Sequence, residues 1–144
     1  MKFNEIATVA GKPGLYKVLK PTRGGVILES LDEKKGKLVV GTNHRVSILG
    51  EISMYTMTEE GAAPLEDIMK KIDKEFNGDL GLDVDADADE LRAFLKHVLP
   101  DFDENRVYPS DIKKLATWYG IIKKYIPEVL EDKGEEESKE ESEQ

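Results

Sequence analysis

Gly11-Lys12-Pro13-Gly14-Leu15-Tyr16-Lys17-Val18-Leu19-Lys20-Pro21-Thr22-Arg23-Gly24-Gly25-Val26-Ile27-Leu28-Glu29-Ser30-Leu31 reads as turn, strand, turn, strand. Pro13-Gly14 fits the two central positions of a type II turn, because proline presets the first φ and glycine accepts a positive φ at the second. Thr22-Arg23-Gly24-Gly25 separates two apolar runs with the length and composition of a hairpin loop. Beyond it, Asp32-Glu33-Lys34-Lys35-Gly36-Lys37 is a charged turn, and Leu38-Val39-Val40 is a short strand ended by Gly41. Residues 46–50 read as a helical turn or bend, and 52–57 alternate as a strand.

Four or five short strands joined by tight turns predict an SH3-like small β-barrel over residues 1–58, since closing the sheet hides edges that invite aggregation. At Pro64 the period changes from 2 to 3.6: Leu65, Ile68, Met69, Ile72 and Phe76 lie on one helical face. Pro64 suits the first turn, Glu66 and Asp67 complement the helix dipole, and Gly78 stands where a C-cap is expected. Leu91, Phe94, Leu95, Val98 and Leu99 predict a second helix, halted by Pro100. A third begins near Pro109-Ser110-Asp111 and carries Ile112, Leu115, Ala116, Tyr119, Ile122 and Ile126, widened by Trp118, Ile121 and Tyr125 and stopped by Pro127. The expected class is α+β, with a helical domain over 62–128 and a disordered acidic tail over 129–144. From Glu131 onward the tail has no apolar residue to offset the entropy of ordering.

A length of 144 residues suits one domain or two small ones. The absence of cysteine excludes disulfides, thiolate zinc sites and cysteine nucleophiles. The N-terminus has no signal-like apolar run, and no stretch approaches the roughly 18 apolar residues of a membrane helix. The cytoplasm is the expected location, with no membrane association. The net charge of −9 is uneven: residues 1–60 hold nine Lys/Arg and seven Asp/Glu, residues 61–130 ten and fifteen, and residues 131–144 two and eight. An acidic chain is a poor general binder of phosphate backbones, although its first part leaves room for a local basic face.

Asp83, Asp85, Asp87, Asp89 and Glu90 imitate the start of a Ca²⁺ loop. Counted from Asp83, position 6 is Ala88 where glycine is needed, and position 12 is Phe94 where a bidentate glutamate is needed. Asp87 is better read as the N-cap of the second helix, with Glu90 completing a capping box, and no metal is expected. Gly11-Lys12 lacks the earlier glycine, the Ser/Thr and the following helix of a phosphate loop, so no cofactor is expected. His44 and His97 belong to no catalytic motif, and His97 suits a helix C-terminus through the dipole alone. The chain is not expected to be an enzyme; an unrecognised active site is the third alternative.

Arg106, Tyr108 and Trp118 around the loop 99–112 are residue types that dominate interaction hot spots. Together with Tyr16 and Arg23 they form the candidate binding set, against the simpler reading of Arg106 as an ion-paired interhelix residue and Arg23 as a hairpin tip. The leading expectation is an interaction module for another protein or a peptide. The alternative is RNA binding through Lys12, Lys20, Arg23 and Lys37, with Tyr16 or Tyr55 stacking on bases.

The stretches 11–16, 23–31, 52–56 and 103–114 together resemble a family of small uncharacterised bacterial proteins known only as a domain of unknown function. The resemblance spans about residues 2–126 and implies an SH3-like N-terminal part. It implies no activity, substrate or catalytic residue.

Overall fold

The computed structural model describes residues 2–41, 43–82 and 85–131. A 3-10 turn (Phe3–Glu5) leads into β1 (Ile6–Val9), β2 (Lys12–Thr22), β3 (Gly25–Ser30), β4 (Lys37–Gly41) and β5 (Val46–Ile48). A second 3-10 turn (Leu49–Glu51) precedes β6 (Ser53–Tyr55) and β7 (Ala62–Pro64). Three helices follow, α1 (Leu65–Phe76), α2 (Ala88–Val98) and α3 (Pro109–Tyr125), and then a 3-10 turn at Pro127–Leu130.

The N-terminal part is a sheet and not the expected SH3-like barrel. Its five antiparallel strands run in the order β4-β3-β2-β1-β5, and no ladder joins β4 to β5 among the described residues. The physical reason lies in the stretch 52–57. Its strand β6 leaves through the turn Leu49–Glu51 and pairs with β7 in a separate two-stranded sheet, with Met54 opposite Ala63. That leaves only the three residues of β5, all registered against β1, at the far edge.

Pro13-Gly14 also differs from expectation. The chain reverses at Ala10-Gly11, and Gly14 lies inside β2. The register passes from Val9 opposite Lys12 to Ala7 opposite Tyr16, so β2 carries two more residues than β1 across that interval. Gly14 takes a φ of 85° there, which absorbs the excess as a bulge. The second hairpin forms as its sequence suggests, with Thr22 opposite Gly25. Gly25 is required by close approach: a Cβ there would lie 1.7 Å from the Val40 carbonyl oxygen.

Two apolar clusters hold the molecule together. The smaller comprises Ala7, Val9, Leu28 and Val40, surrounded by Tyr16, Val18, Val26, Leu38, Val46 and Ile48. All of these come from strands, so the sheet bends over its own apolar face. The larger cluster joins the helices to the opposite face through Phe3, Ile6, Leu15 and Leu49. The stripes predicted for the helices are the buried ones: Leu65, Ile68, Met69 and Ile72 on α1, Leu91, Phe94, Leu95 and Val98 on α2, and Ile112, Leu115, Tyr119 and Ile122 on α3. Each fully buried Leu or Ile stabilises the fold by about 2 kcal/mol relative to an exposed one.

Asp87 N-caps α2, accepting a hydrogen bond from the Glu90 amide at 2.9 Å. Asn77, with φ 47°, closes α1 one residue before the expected Gly78. Tyr119 ties α3 to this end: its hydroxyl donates to Asp73 Oδ1 and accepts from the Gly78 amide, each at 2.8 Å. Val129 and Leu130, which fall within the expected tail bounds of 129–144, are buried in the larger cluster. Residues 132–144 of the expected tail and Asp83 lie outside the described residues. Among the described residues no helix is long and apolar enough to cross a membrane.

Candidate functional site

The first turns of α3 face the end of the sheet where β1 turns into β2. Pro109 occupies the first helical turn, its fixed φ matching the helix, and Asp111 Oδ2 accepts from the Tyr108 amide at 3.0 Å. The helix thereby presents Ser110, Lys113, Lys114, Thr117 and Trp118, spaced i, i+3, i+4, i+7 and i+8, on one side. These residues form one wall of a cavity of about 630 Å³. Thr8, Val9, Gly11, Lys12, Arg45 and Ser47 contribute to the opposite wall, and Ile52 lies at its end.

A second cavity of about 240 Å³ shares Ile52, Lys114 and Trp118 with the first. Met54, Leu65, Val107 and Leu115 make it apolar, and Tyr55, Arg106 and Asp111 stand around it. Trp118, the chain's only tryptophan, is the one aromatic residue that lines both. The loop before α3 is fastened to β6 by backbone hydrogen bonds from Asp103 N to Tyr55 O (2.9 Å) and from Met57 N to Asp101 O (2.7 Å). Arg106 is set by this attachment. Its guanidinium lies 5.3 Å from the centre of the Tyr55 ring, and its Nε is 3.7 Å from Asp103 Oδ2.

The larger cavity is lined by four cations, Lys12, Arg45, Lys113 and Lys114, and by no carboxylate. None of the four makes an ion pair among the described residues, whereas Lys123, Lys124, Arg92 and Arg106 do. In a chain of net charge −9 this is a local reversal of sign.

Of the residues singled out from sequence, Arg106 and Trp118 are brought together at the smaller cavity. Tyr108 is 60% exposed beside α3 and lines neither cavity. Tyr16 packs against the strand cluster, and Arg23 is exposed at the hairpin tip. The four cations proposed for RNA are separated as well, since Lys12 lines the groove and Lys20, Arg23 and Lys37 do not. Arg45, Lys113 and Lys114 escaped the sequence reading. The i, i+3, i+4 spacing of Ser110, Lys113 and Lys114 is visible in the sequence, but it reads as an ordinary solvated face until the sheet is placed opposite.

Elsewhere, His97 Nε2 lies 3.0 Å from Glu75 Oε2, with both side chains about half exposed. Among the described residues no group of three His, Asp or Glu side chains is placed to hold a metal ion. Burial and the Asp73 carboxylate raise the Tyr119 hydroxyl far above its usual pKa. The Ser30 hydroxyl, then the Lys35 and Lys34 amides, lower the pKa of Asp32.

Two family models match the chain in tandem: Domain of unknown function (DUF5606) over residues 3–49 and Domain of unknown function (DUF6852) over residues 52–122. The junction falls in the 3-10 turn between β5 and β6. A solution NMR structure from Bacteroides vulgatus, from a structural genomics consortium, is similar at 37% sequence identity and a TM-score of 0.67. The match covers 83% of this chain and 84% of that one. No curated protein matches.

Proposed function

The chain belongs to a family known only as domains of unknown function, DUF5606 and DUF6852, and we propose that it is a non-enzymatic docking module whose sheet–helix groove holds a segment of another protein. The observation that carries this reading is that two adjoining cavities share Trp118 in their lining. A smaller, mostly apolar cavity with room for one side chain and a larger one for the adjoining segment share a residue type rich in binding energy. Arg106, held against Tyr55, adds a fixed donor at the recess. The cytoplasm is the compartment that goes with this reading.

RNA binding is a second reading, favoured by four cations, unpaired among the described residues, beside an aromatic side chain. It predicts a binding constant that falls linearly with salt on logarithmic axes, with a slope set by the number of phosphates neutralised.

The test uses an unbiased peptide library displayed on phage and panned against the full chain. Enriched peptides are synthesised and titrated while Trp118 fluorescence is followed. Saturable changes with micromolar Kd, about −8 kcal/mol, are expected, and they should weaken in Arg106→Ala. A library that yields no peptide with a saturable Trp118 response refutes the docking reading.

A further inference from the structure

The charge of the groove names the chemistry of its occupant. Lys12 and Arg45 on the sheet side and Lys113 and Lys114 on α3 are all exposed and face one channel without a carboxylate in its lining. Because none is paired among the described residues, a ligand carboxylate would displace water only and break no existing ion pair. Ser110 brings the first turn of α3 to the same channel, so the positive end of the helix dipole adds to the side-chain charge. In the adjoining recess Met54, Leu65, Val107 and Leu115 make the lining mostly apolar, and it suits a large hydrocarbon or aromatic side chain.

We propose that the occupant is an acidic peptide segment bearing one large apolar side chain: its carboxylates lie over Lys12, Arg45, Lys113 and Lys114, and its apolar group fills the adjoining recess that Trp118 also lines. This deepens the docking reading and rests on it. A nucleic acid suits the site less well, because it repeats a phosphate at every nucleotide and only the larger cavity is free of carboxylates. At the recess it would also meet Asp111 and, through Arg106, Asp103. The chain's own residues 132–144 hold seven acids and two lysines but no apolar residue, so they supply charge without an anchor.

The test is fluorescence anisotropy of a labelled peptide rich in glutamate and aspartate with a single phenylalanine, titrated with the full chain. Two matched controls are a peptide with every acid replaced by its amide, and one with phenylalanine replaced by serine. Each control should bind about tenfold more weakly, and Lys113→Gln combined with Lys114→Gln should cost a similar factor. Both lysines are exposed, so an unchanged circular dichroism spectrum confirms that this variant is folded; Arg45→Gln gives an independent check. Added salt should weaken the acidic peptide and leave the amide peptide nearly unaffected. Equal binding of acidic and amide peptides overturns the acidic assignment while leaving a docking groove in place. Tighter binding of a single-stranded RNA oligonucleotide, with a steep salt slope, overturns it in favour of nucleic acid. Acidic-peptide binding seen only after the glutamates of 135–143 are changed to glutamine overturns it in favour of the chain's own C-terminal segment.

Discussion

Tyr119→Phe removes one oxygen atom from the joint between α1 and α3 and leaves the ring, only 1% exposed, in place. The lost hydroxyl donates to Asp73 Oδ1 and accepts from the Gly78 amide. Lys123 Nζ, 2.9 Å from the same carboxylate oxygen, keeps Asp73 paired. A hydrogen bond to a charged group contributes about 1.5–3 kcal/mol. The Asp73 and Lys123 side chains are 20% and 33% exposed, so water replaces part of the loss and about 2 kcal/mol is expected. With an unfolding entropy of about 2.1 cal/mol/K per residue over roughly 130 residues, Tm should fall by about 7 °C. Thermal and urea denaturation followed by circular dichroism measure this directly. A double-mutant cycle with Asp73→Asn should give a coupling of at least about 1 kcal/mol. A fall in Tm below about 2 °C, or additivity within about 0.3 kcal/mol, would refute the joint. The hydroxyl also has a pH signature. Burial, then Asp73, raises its folded pKa above the unfolded value of about 10. Its contribution is therefore complete below pH ~10 and is lost as pH rises toward the folded value. The stability gap between wild type and Tyr119→Phe should narrow in alkali.

Gly25→Ala should destabilise by about 3 kcal/mol or abolish folding, because its Cβ collides with the Val40 carbonyl; Gly24→Ala, with open space around it, should cost under about 1 kcal/mol in the same denaturation assay. Asp87→Ala should cost about 1 kcal/mol through the lost cap of α2, and Asp89→Ala, whose side chain is 96% exposed, close to nothing. Asp32, with its pKa lowered chiefly by Ser30, should titrate below the ordinary aspartate range of about 4 by NMR. Its carboxylate stays ionised, and the bonds to the Lys34 and Lys35 amides persist, until pH falls through that lowered value.

The helices were legible because a 3.6-residue stripe carries its own evidence: a residue such as Ile68 or Leu95 can be buried only if the rest of its face is. Sheet closure was not legible. It depends on where residues 53–55 find a partner, and Ala62-Ala63-Pro64 has no β-branched or aromatic residue to announce itself as a strand. Gly14 misled for a related reason, since a positive φ serves a turn and a bulge equally well. At the site, Arg106 and Trp118 stood out by residue type, and both line the smaller cavity. Lys113 and Lys114 did not stand out, because an exposed helical lysine gains its meaning from what faces it across space. That is set by the packing of Ile6 and Leu15 on the helices.

The most direct test of the docking groove is a ¹⁵N–¹H NMR titration of the full chain with the acidic, phenylalanine-bearing peptide, following backbone amides and the Trp118 indole. The account predicts saturable shifts concentrated at Lys12, Arg45, Ile52, residues 110–118 and the Trp118 indole, with little change at the Arg23 hairpin tip or along α2. Shifts absent from Trp118 and Lys114 at saturation, or centred on the hairpin tip, would contradict it.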